Sequence, residues 1–234
     1  SSFAFSPDGK YIVAENNDNN TILVWEFATG VEVAHMAHKD DVYPIAFSPD
    51  GKYVGSGSKD KSARVWEAAT GKEIAHKYHK DTVWAITFSP DGKYVVSGSS
   101  DGVILVWEAT TGVEIAHMTH KGSWVTIAFS PDGKHIVSGN WDNTARVWEV
   151  ATGREIARMT HEYVVSAVAF SPDGKYVISG SDDGTIRVWK WQPADLIDNA
   201  CQHVTRNLKH AEWAYYMGDE PYQAICPNLP IEEE

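Results

Sequence analysis

The heptapeptide Phe47-Ser48-Pro49-Asp50-Gly51-Lys52-Tyr53 is followed thirteen residues later by Trp66-Glu67, and the same pair of signals recurs along most of the chain. The phenylalanine repeats at intervals of 42, 41, 41 and 41, at Phe5, Phe47, Phe88, Phe129 and Phe170. The tryptophan repeats at a constant interval of 41, at Trp25, Trp66, Trp107, Trp148 and Trp189. Self-similarity at one period along a chain of 234 residues indicates five serial units.

Each unit contains two hairpin signals. The Ser-Pro-Asp-Gly turn places a proline of fixed φ, a turn-forming aspartate and a glycine that tolerates positive φ between two β-rich runs. In the units that continue, the run ending at the tryptophan is followed by a Thr-Gly turn and another β-rich run, such as Glu73-Ile74-Ala75-His76. Two hairpins make four short strands, and four strands in about 40 to 45 residues are typical of a propeller blade.

These motifs resemble the WD-repeat family over positions 1 to about 190. The resemblance implies an all-β fold, a β-propeller of four-stranded antiparallel blades followed by a short α-helical C-terminal tail. We place the five blades at about residues 1–41, 42–82, 83–123, 124–163 and 164–191, and the tail at 192–234. Apolar spacing predicts one tail helix from Pro193 through Val204 and a second, shorter helix from Glu212 to Met217.

Both ends of the repeat lack the strand that closes the ring in the resembled family. The chain begins inside the first strand of blade 1, and Gln192-Pro193 replaces a fourth strand in blade 5. We therefore expect the five blades to belong to a larger ring, with a self-sufficient five-bladed ring as the alternative.

The tail segments resemble the tail that follows WD-repeat arrays in large bacterial proteins with a STAND NTPase, TIR or caspase-like effector domain. The segments that carry this resemblance are Arg206-Asn207-Leu208, Glu212-Trp213, Gly218-Asp219 and Cys226-Pro227-Asn228-Leu229-Pro230. The resemblance implies that the chain is the C-terminal part of a larger bacterial signalling or defence protein, with a possible effector domain upstream.

Composition argues against two classes of partner. The formal net charge is −12, from 20 basic and 32 acidic residues, and it opposes binding to a phosphate backbone in the absence of a basic stripe. No apolar run approaches the roughly 18 residues that span a bilayer. We expect neither a nucleic-acid partner nor a membrane partner.

The two cysteines, Cys201 and Cys226, lie in the predicted tail. We favour two reduced, partly buried thiols over a disulfide between them. Together with the family resemblance, reduced thiols favour a cytoplasmic location.

Blades 2 to 5 each contain a histidine, a serine, an aspartate and a tryptophan in fixed register. A Ser-His-Asp set could serve hydrolysis, but four equivalent copies imply that each set serves its own blade. The family resemblance implies a buried structural relay in which Asp holds His, His bonds Ser and Ser meets the tryptophan indole, so we expect no enzyme activity and no cofactor. The relay residues are His38, Ser56, Asp60 and Trp66; His79, Ser97, Asp101 and Trp107; His120, Ser138, Asp142 and Trp148; His161, Ser179, Asp183 and Trp189.

A second series of histidines stands three residues before the relay histidines, at His35, His76 and His117, with Arg158 at the fourth equivalent position. Two histidines so close together could suggest a metal site. The replacement by arginine and the predicted outer-strand location favour solvated edge residues, so we expect no metal site.

The resemblance also implies where ligand contacts lie: at the residue before the relay aspartate, and at the third and fifth residues after the relay histidine. These positions differ between blades and read Lys59, Ser100, Trp141 and Asp182; Asp41, Thr82, Ser123 and Val164; Tyr43, Trp84, Val125 and Ser166. Accessible aromatic residues recur at binding hot spots. The partner-binding candidates are Tyr43, Trp84, Trp141, Lys59, Asp41 and Asp182, whereas Trp124 is expected to pack against a neighbouring blade.

These positions predict a scaffold or sensor that binds a protein or peptide. A propeller that binds a sugar or a small molecule is the alternative. Repeated, identical pockets between blades would favour that alternative, because multivalent sugar sites should be alike.

Overall fold

A computed structural model describes residues 2–16, 18–123 and 125–192, together with residues 201, 207, 209, 226 and 230. The chain forms two compact units, Ser1–Trp189 and Lys190–Glu234. The described residues of the first unit form strands and turns only. Trp124 and the two predicted tail helices lie outside the described residues, apart from Cys201.

The strands follow one another in chain order, four to a sheet in the first four blades. Blade 1 contains β1 (Phe3–Phe5), β2 (Tyr11–Asn16), β3 (Thr21–Glu26) and β4 (Glu32–Ala37). Blade 2 contains β5 (Val42–Phe47), β6 (Tyr53–Ser58), β7 (Ser62–Glu67) and β8 (Glu73–Tyr78). Blade 3 contains β9 (Val83–Phe88), β10 (Tyr94–Ser99), β11 (Val103–Glu108) and β12 (Glu114–Thr119).

Blade 4 contains β13 (Val125–Phe129), β14 (His135–Asn140), β15 (Thr144–Glu149) and β16 (Glu155–Thr160). Blade 5 contains β17 (Val165–Phe170), β18 (Tyr176–Ser181) and β19 (Ile186–Lys190), and among the described residues it has no fourth strand. All pairings within the sheets are antiparallel between consecutive strands. The predicted all-β class, with four-stranded propeller blades, is confirmed.

The Ser-Pro-Asp-Gly turn forms because its side chains satisfy its own backbone. In blade 2, Ser48 Oγ accepts a hydrogen bond from the Tyr53 N–H at 2.9 Å and donates one to Asp50 Oδ1 at 2.7 Å. Asp50 Oδ1 also accepts from the Lys52 N–H at 3.1 Å. Gly51 has a φ of 72°, a backbone conformation that is strained for a residue with a side chain. The serine, the aspartate and the glycine of the motif therefore each have a role in closing the first hairpin.

The core lies between blades. We call the sheet face toward the next blade in sequence the trailing face, and the face toward the preceding blade the leading face. At the junction between blades 1 and 2, the trailing residues Val13, Ile22 and Val24 are buried against the leading residues Val54 and Trp66. Equivalent clusters fill the next two junctions. Each blade therefore depends on its neighbours for burial.

The two outermost faces of this series are not covered. The leading face of blade 1, which includes Phe5, and the trailing face of blade 5, which includes Ile186, are both exposed. Among the described residues, blades 1 and 5 therefore do not cover one another, as they would in the self-sufficient five-bladed ring that was the alternative.

Candidate interaction face

The relay of blade 2 links four side chains, and each of them has a hydrogen-bond partner. His38 Nδ1 lies 3.1 Å from Asp60 Oδ2, and His38 Nε2 lies 2.8 Å from Ser56 Oγ. The Trp66 indole N–H donates to Ser56 Oγ at 2.7 Å. A neutral histidine that donates from Nδ1 and accepts the Ser56 O–H at Nε2 satisfies every group. Because His38 follows β4, this relay ties blade 1 to blade 2.

The relay of blade 4 has the same geometry. His120 Nδ1 lies 3.1 Å from Asp142 Oδ2, Ser138 Oγ lies 2.7 Å from His120 Nε2, and the Trp148 N–H donates to Ser138 Oγ at 2.7 Å. Burial lowers the pKa of His120 to about 4, although the charge of Asp142 acts in the opposite direction. The imidazole is therefore neutral near pH 7, as the relay requires.

The relay of blade 3 is incomplete. Ser97 Oγ lies 2.9 Å from His79 Nε2 and accepts from the Trp107 N–H at 3.2 Å. His79 Nδ1 is buried without a hydrogen-bond partner, and it lies 3.9 Å from Asp101 Oδ1. This aspartate therefore does not hold its histidine.

In blade 5 the relay is incomplete at the tryptophan, whereas in blade 3 it is incomplete between the aspartate and the histidine. His161 lies 2.7 Å from Ser179 Oγ and 3.3 Å from Asp183 Oδ2. The indole nitrogen of Trp189 is buried and has no hydrogen-bond partner. The four relays thus share one register and differ in how completely they form.

Sequence reasoning missed the residues that brace the relay aspartate. In blade 2, Ser62 Oγ donates to Asp60 Oδ1, and the Arg64 guanidinium donates to Ser62 Oγ at 2.9 Å, to Glu73 Oε2 at 2.9 Å and to Asp60 Oδ2 at 3.4 Å. Burial by itself would raise the pKa of Asp60, but hydrogen bonds from His38 and Ser62 hold it well below its usual range.

We call this set of a hydroxyl residue, an arginine and a glutamate the brace. It recurs in blade 4, where Thr144 takes the place of the serine and Arg146 and Glu155 match the arginine and the glutamate. Blade 3 has Val103 and Leu105 at the first two of these positions. The signal in the sequence was a polar residue four positions before the tryptophan together with an arginine two positions before it.

The structure brings two of the three predicted contact positions together at one end of the blades. The Lys59 N–H donates to the Asp41 carbonyl at 2.9 Å in blade 2. The equivalent bond joins the Ser100 N–H to the Thr82 carbonyl at 2.8 Å in blade 3. In blade 5 the exposed Asp182 is held in the same way by the Val164 carbonyl at 2.9 Å.

Tyr43 and Trp84 form an aromatic stack across the boundary between blades 2 and 3, with ring centroids 4.3 Å apart and an interplanar angle of 25°. The Trp84 indole N–H donates to Ser100 Oγ at 2.6 Å. Burial raises the pKa of Tyr43, and the charge of Asp41 acts in the same direction. Lys59 Nζ lies 3.8 Å from Asp41 Oδ2. Both rings are half-buried, so Trp84 is less exposed than we expected from the sequence.

Two exposed aromatic residues, Trp141 of blade 4 and Tyr163 of blade 5, lie at the same end of the blades. Trp141 is exposed at the turn of blade 4, and the Asn143 side chain in that turn donates to the Glu162 carbonyl at 3.1 Å. Tyr163, next to Glu162, is also exposed, and sequence reasoning missed it. Its signal was the variation two residues after each relay histidine, which reads Asp40, Asp81, Gly122 and Tyr163.

The outer histidines pair with glutamates on their own strands. His35 lies 3.6 Å from Glu32 and His76 lies 2.8 Å from Glu73. No group of three or more histidine, cysteine, aspartate or glutamate side chains suited to a metal ion occurs among the described residues. Within the same residues, no helix has the length and apolar character needed to cross a bilayer.

Our expectation of two reduced thiols in the tail is wrong for this structure. Cys201 and Cys226 form a disulfide, with Cα atoms 5.5 Å apart across 25 residues of sequence. The buried Asn207 side chain donates to the Cys226 carbonyl at 2.9 Å and accepts from the Cys226 N–H at 2.8 Å. The Asn207 N–H also donates to the Pro230 carbonyl at 3.1 Å. This clamp holds Cys226 in place, and the cysteine spacing alone did not reveal it.

A comparison with curated proteins gives no match. Among solved structures, 1724 chains match, so the fold is common and its likeness alone names no function. One of them is the crystal structure of Ika8, a computationally designed protein, with a TM-score of 0.68 and 32% sequence identity. The match covers 77% of this chain and 55% of Ika8, so the chain spans about half the length of that relative.

The family model described as "WD domain, G-beta repeat" matches five segments, at residues 1–26, 30–67, 72–108, 112–149 and 153–190. Together they cover well over half of the chain. Propellers built from this repeat are protein-interaction scaffolds and are generally non-catalytic. The chain belongs to the WD-repeat family.

Proposed function

We propose that this chain is a non-catalytic scaffold that captures a protein or peptide at the end of the blades where Tyr43, Trp84 and Trp141 lie. The observation that carries the proposal is the aromatic stack of Tyr43 on Trp84, which is anchored by Ser100 and still partly accessible. Rigid aromatic rings with a satisfied polar atom provide large contact area at low entropic cost.

The charges around these rings favour an extended segment with both cationic and apolar side chains. Asp41 and the exposed Asp182 supply carboxylates at this end, while Lys59 lies within 3.8 Å of Asp41 and partly offsets its charge. The candidate positions also differ from blade to blade. A partner that spans several blades therefore meets a different set of groups on each one.

Panning a phage-displayed library of random peptides on the purified chain tests this proposal. Peptides selected on the unmodified chain should bind the double variant Trp84→Ala, Trp141→Ala about 30-fold more weakly, as expected for the loss of a hot spot. Tyr78→Ala, which truncates an exposed aromatic residue on β8, is the matched control and should leave affinity unchanged.

Because Trp84 packs on Tyr43, thermal unfolding must show that the double variant is folded at the assay temperature. The single variant Trp141→Ala, which removes an exposed ring, guards against a stability artefact. Undiminished binding by both variants would overturn the proposed site.

We also propose that the chain is the C-terminal part of a larger bacterial signalling or defence protein. The support is the resemblance of the tail, two of whose segments are joined by the Asn207–Cys226 hydrogen bonds. A cytoplasmic location rests on the family resemblance alone, because the disulfide removes the argument from free thiols. An open reading frame that encodes no effector domain upstream of these blades would refute this assignment.

A second candidate function, binding of a sugar or another small molecule, is favoured by two cavities in equivalent positions between blades. They have volumes of about 360 Å³ between blades 3 and 4 and about 230 Å³ between blades 1 and 2. Both lie at the opposite end of the blades from Trp84. Matching residues line them: Tyr94, Lys134 and Glu149 in the larger cavity, and Tyr11, Lys52 and Glu67 in the smaller.

The two cavities differ where His135 replaces Tyr53, and they differ in volume, whereas multivalent sugar sites should be alike. We therefore rank peptide capture first. Binding on a glycan array that Lys134→Ala abolishes and Trp141→Ala spares would reverse this ranking.

A further inference from the structure

The cavity between blades 3 and 4 contains a residue that departs from the repeat. His135 begins the second strand of blade 4, where the other four blades have a tyrosine: Tyr11, Tyr53, Tyr94 and Tyr176. His135 lines this cavity of about 360 Å³, and Tyr53 lines the equivalent cavity of about 230 Å³ between blades 1 and 2. An imidazole ring is smaller than a phenol ring and leaves more of the junction open. Ligand sites have volumes of about 300 to 1,000 Å³, a range that includes the larger cavity and excludes the smaller.

The wall of the larger cavity is mostly apolar. Val150 is buried in the core cluster between blades 3 and 4, and Tyr94 and Ile115 pack against the same cluster. Burial lowers the pKa of His135, so its imidazole is uncharged near pH 7. These side chains therefore offer a surface that suits an apolar body such as an aromatic ring.

Lys134 is the cationic residue that lines this cavity, and its ammonium differs from those of the equivalent lysines. In the first three blades the ammonium has a partner within its own blade: Asp8 at 3.2 Å from Lys10, Asp50 at 3.4 Å from Lys52, and the Tyr94 ring at 4.9 Å from Lys93. The Lys134 ammonium makes neither an ion pair nor a hydrogen bond with another described residue. Its charge is therefore available to a ligand.

Glu149 is the acidic residue of the cavity, and its carboxylate is engaged by its own hairpin. The Thr152 hydroxyl donates to Glu149 Oε2 at 2.5 Å. The equivalent threonine makes the same contact in blades 2 and 3, so this bond belongs to the repeat and not to the cavity. The Lys134 ammonium is thus the charged group left to meet a ligand.

We propose that the cavity between blades 3 and 4 binds a small carboxylic acid with an aromatic or other apolar body. The apolar body lies against Tyr94, Ile115 and Val150, and the carboxylate pairs with Lys134 Nζ. A sugar suits this cavity less well, because its hydroxyl groups need polar partners on several sides when they are buried. The site lies at the opposite end of the blades from Trp84, so it does not rest on the proposed capture of a peptide.

The test uses 3-phenylpropionate as the probe, with 3-phenylpropanamide and 3-phenylpropylamine as uncharged and cationic analogues of similar size. Ligand-observed NMR titration of the purified full chain should give saturable binding of the carboxylate with a Kd of about 0.1 to 1 mM. The amide should bind about 10-fold more weakly, because it lacks the charge-assisted bond to Lys134, and the amine should bind more weakly still.

Variants locate the binding. His135→Tyr restores the residue of the other four blades, so it should keep the fold and abolish binding by filling the cavity. Lys134→Gln should weaken binding of the carboxylate about 10-fold and leave binding of the amide unchanged. Lys52→Gln, at the equivalent position of the smaller cavity, is the matched control and should change neither. Circular dichroism should show all variants folded.

The proposal is overturned if 3-phenylpropionate shows no saturable binding up to about 10 mM, a concentration well above the expected Kd. It is also overturned if His135→Tyr leaves binding intact, or if Lys134→Gln weakens the carboxylate and the amide equally. Trp141→Ala, which should weaken peptide capture, should leave binding of 3-phenylpropionate unchanged. The two proposals can therefore fail independently of one another.

Discussion

Blades 3 and 4 contain the same four relay residues at the same spacing, yet only blade 4 completes the relay. In blade 4 the Arg146 guanidinium contacts Asp142, which lies 3.1 Å from His120 Nδ1. In blade 3 the corresponding distance, from Asp101 to His79, is 3.9 Å. The difference teaches that the relay depends on what holds the aspartate as well as on the four residues themselves.

Blade 3 gains apolar burial at the positions where blade 4 has its brace. Leu105 is buried in the core cluster between blades 2 and 3, and Val103 packs against the same cluster. In blade 4 those two positions are Thr144 and Arg146, which bond Asp142 and one another. The two blades therefore have the same arrangement of strands but stabilise equivalent junctions in two ways, one by apolar burial and one by hydrogen bonds.

The largest expected effect comes from removing the relay aspartate in each blade. Asp142→Ala leaves the buried His120 Nδ1–H without its partner and removes one of the two carboxylates that bind the Arg146 guanidinium, and it should cost about 3–5 kcal/mol in the free energy of unfolding. Asp101→Ala loses mainly two bonds from backbone N–H groups, those of Lys80 and Val103, and should cost about 1–2 kcal/mol. Urea denaturation of both variants measures the two costs, and equal losses would show that the brace has no energetic role.

The next effect is a dependence of stability on pH that belongs to blade 4. The pKa of His120 is about 4 in the folded chain against 6.5 when unperturbed, so between these values the unfolded chain takes up the proton more readily. The contribution of the neutral, buried His120 to the free energy of unfolding is complete above pH 6.5 and is lost as the pH falls toward 4. It amounts to roughly 3 kcal/mol at 1.36 kcal/mol per pKa unit.

Urea denaturation of His120→Gln and of the unmodified chain at several pH values isolates this contribution. The variant should be less stable near pH 7 but should lose less stability between pH 6.5 and 4. Parallel pH profiles for the two proteins would contradict the assignment to His120.

The repeat period, the blade count and the hairpin turns could be predicted from the sequence because each rests on local chemistry repeated five times. The relay register could also be read, since it needs only fixed spacing. The completeness of each relay could not be predicted, because the spacing along the chain is the same in blades 3 and 4 whereas the His79–Asp101 distance is 3.9 Å in blade 3 and the His120–Asp142 distance is 3.1 Å in blade 4. The repeat period identifies the positions that the blades share, and it carries no information about the side chains that differ between blades.

The candidate face shows the same limit. The positions of Tyr43 and Trp84 followed from the register, but their stacking arises across a blade boundary, and spacing along the chain does not measure that distance. Likewise, Cys201 and Cys226 form a disulfide across 25 residues of sequence, and Asn207 binds the backbone of Cys226. The amide of one asparagine gave no sequence pattern from which that contact could be inferred.

The smallest expected effect comes from grafting the brace of blade 4 into blade 3. The double variant Val103→Thr, Leu105→Arg supplies the missing hydroxyl and guanidinium, and Glu114 already stands where Glu155 stands in blade 4. The buried leucine is lost while hydrogen bonds are gained, so the stability should change by only about 1 kcal/mol in either direction. A crystal structure should show the His79–Asp101 distance falling from 3.9 Å to hydrogen-bonding range. A distance that stays long would mean that the backbone, and not the brace, sets it.

The position of each relay histidine has a consequence for cooperativity. His38 follows the last strand of blade 1 but bonds Ser56 of blade 2, so hydrogen bonds and apolar packing cross the same boundary. The free energy of unfolding of such an array is the sum of the stabilities of the single blades and of the coupling energies between neighbouring blades. A lesion in one relay should therefore loosen two adjacent blades in hydrogen exchange and leave the more distant blades protected.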